Sequence, residues 1–459
     1  MATYITDILA GKLGSMLQYG EMTTLHLGSQ TWILLNTKEV AEAIIHKNGR
    51  ITNERPEMPI AGGLVSHDKR TVIRQTKHWT EGRRVMHHLL SGSVLKTYGS
   101  WQESASLQLL SSYLDDPERW FAHHFRYSLD VLYRVVMGDD LINKTQAELD
   151  DFQQAGMEFV RSLAQSMIDF FPILDKIPAF MQPWRLYWKD MGDRHRKVMV
   201  DWWQPVYAQV QAGMAGPSFV RDTLLNPDMK YKGNEEEAMY LAVSVMTAGG
   251  DNTRMSLNTF IMSMIDNPAH FAIARAQLDK VCGVSSQSMR LPGMQDFEQL
   301  PYISAIIKEV LRWRPTVPLV PPHQLTEDLQ CKHYFFPAGV SFVINNVAIG
   351  QGVPEWDTYD PARWLDGTES NLIYNHWAFG GGRRICVGYR IAHQALWIAI
   401  ARLIFCFDLI PAGEYNTRVL NHVSLEEPFP VKFSARSEVH KALIRVAANA
   451  EVEKEKANG

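Results

Sequence analysis

Read by the period of its apolar positions, the chain has a helical middle and sheet-like ends. Residues 21–46 open with the strand-like TTLHLGSQTWILLNT and pass into the helical KEVAEAIIHK. From about 79 to 313 apolar residues recur at helical spacing, punctuated by Pro and Gly. Between 315 and 365 prolines cluster and β-branched runs appear, as in KHYFFPAGVSFVINNVAI. A helix is predicted over about 386–408, and VSLEEPFPVKFSARS reads as short strands. The polar end, residues 448–459, reads as a disordered tail. The pattern predicts a mainly α fold with small β-sheets.

One predicted helix exceeds the rest. Asn234 is its N-cap, and Glu235, Glu236 and Glu237 suit a first turn. The pattern runs to Asp266-Asn267-Pro268, a length of roughly 50 Å at the helical rise. In its middle stands Ala248-Gly249-Gly250-Asp251-Asn252-Thr253. Each interior glycine costs about 1 kcal/mol against alanine, and an acid among apolar neighbours needs a partner. Two readings stay open: a kink between two helices, or a helix thinned so that a ligand can lie against its backbone.

Composition narrows the classes. The 459 residues carry 46 Lys+Arg and 50 Asp+Glu, a formal charge of −4, with 46% hydrophobic and 21% charged positions. That excludes disordered, collagenous and coiled-coil chains and argues against nucleic acid as a partner. Length alone allows about three domains. The four cysteines, at 282, 331, 386 and 406, form no C-x-x-C, which excludes a disulfide scaffold and a zinc finger and points to a reducing compartment. No run reaches the roughly 20 apolar residues of a membrane span: 238–250 ends at Asp251, and 395–407 is broken by Arg402. No G-x-S-x-G or H-E-x-x-H suggests a hydrolase.

The richest motif is Phe379-Gly380-Gly381-Gly382-Arg383-Arg384-Ile385-Cys386-Val387-Gly388, ahead of an apolar helical run. Three glycines permit positive φ and close backbone approach. A cysteine entering a helix N-terminus is stabilised as thiolate, and such a thiolate can ligate iron. The run resembles the haem-binding signature of the cytochrome P450 family, F-x-x-G-x-R-x-C-x-G, at every fixed position.

By that resemblance the chain is one catalytic domain, 1–459, in the cytochrome P450 fold. A b-type haem (iron protoporphyrin IX) lies between the long central helix and the Cys-loop helix, with Cys386 as metal ligand. Phe379 packs near the thiolate, and Arg384 binds a propionate. Trp79 and Arg83 fit the family W-x-x-x-R that reaches the propionates, and His323 lies where many members place a propionate donor. Glu309 and Arg312 fit E-x-x-R, with Arg363 of Pro361-Ala362-Arg363-Trp364 as third member of a structural ion cluster. Asp251, Asn252 and Thr253 fall on the family's oxygen-binding groove, where Asn252 replaces the usual threonine. An amide donates through its NH₂ but relays a proton less readily than a hydroxyl. Pocket walls are expected at Pro59–Thr76, Phe159–Phe171, Leu241–Gly250, Val317–Val320 and Val423–Leu425.

The activity implied is O₂-dependent monooxygenation of a lipophilic small molecule, most like the fungal secondary-metabolism members. Non-inserting coupling, desaturation or cyclisation at the same haem is the alternative, and haem binding without turnover the bland one. No G-x-G-x-x-G follows a strand, so electrons come from NADPH through an external NADPH–cytochrome P450 reductase. Arg83, Arg84, Arg383 and Arg390 are candidates for its basic docking face. Eukaryotic relatives usually start with a membrane anchor, and by the resemblance this sequence is expected to begin near the first helix of the globular domain. The anchored form is expected on the cytosolic face of the endoplasmic reticulum, and the chain as it stands is expected to be soluble.

Overall fold

The computed structural model describes residues 14–89, 94–285, 288–416, 426 and 428–458. Its longer helices are α1 (Thr76–Leu89), α2 (Val94–Asp115), α3 (Trp120–Met137), α4 (Gln146–Gln165) and α5 (Arg185–Gln211). They continue with α6 (Glu235–Asp266), α7 (Pro268–Cys282), α8 (Pro301–Trp313), α9 (Tyr389–Cys406) and α10 (Glu438–Asn458). The strands are β1 (Met22–Leu27), β2 (Gln30–Leu35), β3 (His323–Gln324), β4 (Leu329–Cys331), β5 (Tyr334–Phe336), β6 (Ser341–Ile344), β7 (Phe407–Pro411) and β8 (Val431–Ala435).

α6 is the axle. Asn234 Oδ1 accepts from the Glu237 N–H at 2.9 Å, and the Glu237 carboxylate accepts from the Asn234 N–H at 3.1 Å, a reciprocal cap that satisfies two orphan donors. The helix runs 32 residues without a break, so neither glycine makes a hinge. Gly249 has a packing reason instead: a Cβ there would stand 2.5 Å from Leu132 Cδ1 of α3. Of the two open readings the kink is absent, and the thinning at Gly249 admits a neighbouring helix.

Apolar residues of α6 fall in two cores. Leu241, Val243 and Met246 pack with Leu129, Leu132 and Val136 of α3 and with Trp202 and Trp203 of α5. Further along, Leu257, Phe260 and Ile261 pack with Ile303 and Ile307 of α8 and with Trp397, Ile400 and Ile404 of α9. Each such side chain contributes about 1.5–3 kcal/mol on full burial, which is why α8 and α9 stay helical with hardly an exposed position.

The four-stranded sheet has the order β1-β2-β6-β3, with β2 parallel to β6 and the other pairs antiparallel. Alternation sorts its side chains: Ile33, Leu35, Phe342 and Ile344 face one core, Trp32, Leu34 and Val343 the other. The β1–β2 turn needs Gly28, whose φ is +64° and whose Cβ would meet Phe170 O at 2.4 Å. β4–β5 and β7–β8 are two-stranded.

The end of the chain departs from expectation. Where a disordered tail was predicted over 448–459, α10 continues to Asn458. Its first turns are docked, with Ile444 buried, His440 against Phe405 and Arg445 forked onto Asp115 of α2. Once such a helix is nucleated, the Ala-, Glu- and Lys-rich residues that follow propagate it at little cost. Val423–Leu425, one expected pocket wall, lies outside the described residues. Among the described residues no helix is long and apolar enough to cross a membrane.

Candidate active site

The cysteine loop is folded by its glycines. Gly380 and Gly382 have φ of +72° and +60°, and a Cβ on Gly382 would meet Ile45 O at 2.5 Å. The Cys386 N–H donates to Phe379 O at 2.9 Å and closes the turn. Phe379 packs against the main core, edge-on to Tyr389. Gly388 caps α9, two residues beyond Cys386. Cys386 keeps open surface, yet enough protein surrounds it for burial to push its thiol pKa up, against the Gly388 N–H and the Arg83 charge. Both facts hold if the sulfur faces an interior cleft rather than bulk water. The expected lowering by the helix terminus is outweighed by that desolvation.

On α6, the groove residues diverge. Ala248 and Asn252, one turn apart, keep open surface in the middle of the helix, and Asn252 Nδ2 donates to Ala248 O at 2.7 Å. Asp251 turns away and is buried, 3.0 Å from Arg254 Nε and bonded to Gln153 of α4. Burial raises its pKa, while Arg254 and Gln153 hold it back. Thr253 is buried on the flank. The three are not brought together as one triad.

A cationic cradle lies beside the cysteine loop. The Arg384 guanidinium stacks 4.1 Å from the Trp79 ring centroid and donates to Asn53 O and Arg74 O, both at 2.9 Å. Its Nη1 is buried without a partner. His323 Nδ1 donates to Thr52 O at 2.9 Å, which leaves Nε2 as the acceptor nitrogen of the neutral ring, also buried without a partner. Half-buried Arg83 lies over the same Trp79, 5.7 Å from its centroid, with its charge felt at Cys386.

Sequence reasoning missed Arg55. It is buried, with Nη1 on Pro321 O and Pro322 O at 2.6 and 2.5 Å and Nε on Val72 O at 2.9 Å. Those carbonyls are 266 and 267 positions away, so no local spacing marks it. Burial and Arg384 hold Arg55 well below the usual arginine range, and burial first, then Arg83, lowers Arg384 to about 10. Glu54 acts on both, but its Oε1 is taken by the N–H groups of Arg55 and Thr76. Clustered cations, with a spare buried donor on Arg384, call for an anion. The residues therefore fit a haem: Cys386 for the iron, and Arg384, Arg83, Arg55 and His323 for its two carboxylates. A neutral His323 presents an acceptor there, so pairing with a carboxylate requires one shared proton.

The third cluster is closed. Arg312 Nε and Nη2 each lie 2.8 Å from the Glu309 carboxylate, both residues buried on α8. Arg363 Nε at 3.2 Å, Trp364 Nε1 at 2.9 Å and the Asp360 N–H at 2.9 Å complete the carboxylate's partners. Arg312 spends its other donors on Gly350 O, Trp356 O and Thr358 O.

Of the expected walls, Ile60, Ala61, Val65 and Ile73 pack with Phe159, Leu163 and Ile168 in one cluster, and Val320 lies 3.5 Å from the Cβ position of Gly380. The expected basic face is thinner than its sequence: Arg83 turns inward, Arg84 pairs with Glu81 at 2.8 Å, and Arg390 bonds Tyr389 Oη.

The sequence profile of the family described as Cytochrome P450 matches residues 16–433. Cytochrome P450 monooxygenase fogE of Aspergillus ruber is 28% identical over 445 residues, covering 92% of this chain and 82% of that protein. Cytochrome P450 monooxygenase virE of Hypocrea virens is 28% identical over 411 residues, covering 85% and 73%. In fold, a zebrafish cytochrome P450 solved with abiraterone matches with TM-score 0.70 at 18% identity, covering 94% of this chain and 99% of that chain. One solved with progesterone matches with TM-score 0.74 at 19% identity, covering 93% and 99%. A profile that spans most of the chain and includes the Cys386 loop settles the assignment: this chain belongs to the cytochrome P450 family of monooxygenases.

Proposed function

We propose that residues 1–459 act as one catalytic domain that binds haem b and monooxygenates a lipophilic small molecule, of the fungal secondary-metabolite kind. The observation that carries this is the pairing of Cys386, on its glycine-built loop, with a cationic cradle whose Arg384 Nη1 and His323 Nε2 lack partners among the described residues. When bound, the haem supplies O₂ activation, with electrons from NADPH through an external reductase. The protein's own part is to hold the sulfur, neutralise two carboxylates and place Asn252 on the open face of α6. Asp251, behind it, is the titratable group that exchanges protons. The apolar segments around Ile60 and Phe159 favour an apolar substrate. Membrane attachment at the endoplasmic reticulum belongs to the same proposal.

Oxygen insertion is the principal reading. Non-inserting oxidation is the second, favoured by one feature: an amide, already spending one N–H on Ala248, stands where the family has a hydroxyl. Product formed under ¹⁸O₂ separates them by mass. The haem assignment is tested on the reduced, CO-treated protein. The red-shifted Soret band of thiolate ligation is expected in wild type and in Cys282→Ala, Cys331→Ala and Cys406→Ala, and lost in Cys386→Ala. Its survival in Cys386→Ala sinks the proposal.

A further inference from the structure

The groove acid has a partner that the family signature does not contain. Asp251 and Arg254 have side chains only 8% and 4% exposed, with Nε to Oδ1 at 3.0 Å. Gln153 of α4 holds the same carboxylate. Close approach of α4 depends on Gly156, where a Cβ would lie 2.7 Å from Thr247 Cγ2 and 3.5 Å from Asp251 Oδ2. The carboxylate is thus held from two sides, one turn from Ala248 and adjacent to Asn252.

A stabilising role alone explains this pair poorly, because a buried ion pair often stabilises a fold no more than apolar residues of its size. What the pair does set is charge and direction. Gln153 is neutral, and His124, facing Arg254 from α3, is held near 3, first by burial, with Tyr113 and Asn258 on its two nitrogens. Among the groups acting on Asp251, Arg254 is the one that carries charge. We infer that Arg254 is a positioning residue: it keeps the Asp251 carboxylate ionised and turned toward α4, and so sets the pH range over which Asp251 exchanges protons with the Asn252 side of the groove. This rests on the reading of Asp251 as the proton-exchanging group.

The test is an infrared titration of the protonated-carboxyl band assigned to Asp251 by its loss in Asp251→Asn, on purified protein. Removing an opposite charge at this range shifts a carboxylate by about 1–3 pH units. Arg254→Gln is therefore expected to move the midpoint up by that amount and Arg254→Lys to restore most of it. An unmoved midpoint in Arg254→Gln overturns the inference. If Arg254→Gln does not fold, Arg254→Met, uncharged and of similar length, takes its place: the same upward shift is expected, and an unmoved midpoint overturns the inference. Peroxide released per NADPH, with a cytochrome P450 reductase and no added substrate, is measured alongside. A shifted midpoint with a changed peroxide ratio and pH profile supports both ideas. A shifted midpoint with neither changed supports the positioning role and overturns proton supply by Asp251.

Discussion

Two buried polar clusters in this molecule have opposite characters. Around Glu309 each donor finds an acceptor: two arginines, an indole N–H and a backbone N–H converge on one carboxylate, and the arginines' remaining donors end on carbonyls. Around Arg384 the cations outnumber the one acid, Glu54, whose Oε1 is already taken by two backbone N–H groups, and Arg384 Nη1 and His323 Nε2 end on nothing among the described residues. The first cluster completes itself and so can only hold the fold. The second is incomplete as protein, and the carboxylates of the proposed haem would complete it.

The largest effect should come from breaking the closed cluster. Arg312→Ala leaves Glu309 buried with two of its five donors gone and uncovers the Gly350 and Trp356 carbonyls. Losing one partner of a buried pair costs about 3–5 kcal/mol. The expected outcome is protein that aggregates or melts far below wild type, whatever haem is supplied. Wild-type melting would show that Arg363 and Trp364 suffice.

Next in size is the acid sensitivity of the same neighbourhood. His376 donates from Nε2 to Lys308 O at 3.0 Å and accepts at Nδ1 from the Ala378 N–H at 3.2 Å, so a second ring proton would point at a donor. Burial lowers its pKa to about 4, against 6.5 in the unfolded chain. Between those values the unfolded state binds the proton and the folded state does not, so stability is fully present above about 6.5 and lost as pH falls toward 4. At about 1.4 kcal/mol per pH unit, the loss approaches roughly 3 kcal/mol. Melting followed from pH 7.5 down to 4.5 should fall less steeply in His376→Gln; an unchanged slope would place the acid sensitivity elsewhere.

What the sequence disclosed, and what it hid, follows the same division. Glu309 and Arg312 were legible through the family resemblance, their i, i+3 spacing allowing the two to share a helix face, and the Cys386 loop because the signature that carries the resemblance is contiguous. The Asn234 cap and the length of α6 were legible from local pattern. Arg55 was not, since its acceptors Pro321 and Pro322 are remote in the chain. Nor was the side of α6 toward which Asp251 turns, which depends on Gly156 of α4. Gly249 was misread because what it admits, Leu132, belongs to another helix. The last turns of α10 were misread because composition says nothing of a docked nucleus one turn earlier.

The open cluster should respond differently from the closed one. Arg384→Leu and His323→Leu remove a buried charge or an unpartnered ring nitrogen but uncover the Asn53 and Arg74 or the Thr52 carbonyls, so the haem-free fraction should melt only about 1–2 kcal/mol below wild type, less than in Arg312→Ala. The haem-to-protein ratio should fall, more in Arg384→Leu than in His323→Leu, because the arginine offers a charge-assisted donor. Equal haem content with a lowered melting point would reverse the contrast and make this cluster structural as well.

The smallest effect on the fold is expected at Asn252, on the open face that the haem-binding side serves. Its Nδ2 takes up the Ala248 carbonyl one turn back, a bond that a threonine hydroxyl can also make. Asn252→Thr should therefore keep the groove's shape and add a hydroxyl able to pass a proton on, so that less peroxide is released per NADPH consumed. Asn252→Ala frees the Ala248 carbonyl and removes the remaining N–H, and peroxide per NADPH should rise several-fold. In both variants melting should stay within about 0.5 kcal/mol of wild type, as for other open positions. Asp251→Asn should slow turnover without the peroxide rise, because it removes the proton source but leaves the amide in place. If Asn252→Ala matches wild type in NADPH use, peroxide and product, the amide is a bystander. The reading of non-inserting oxidation then loses the one feature that favours it.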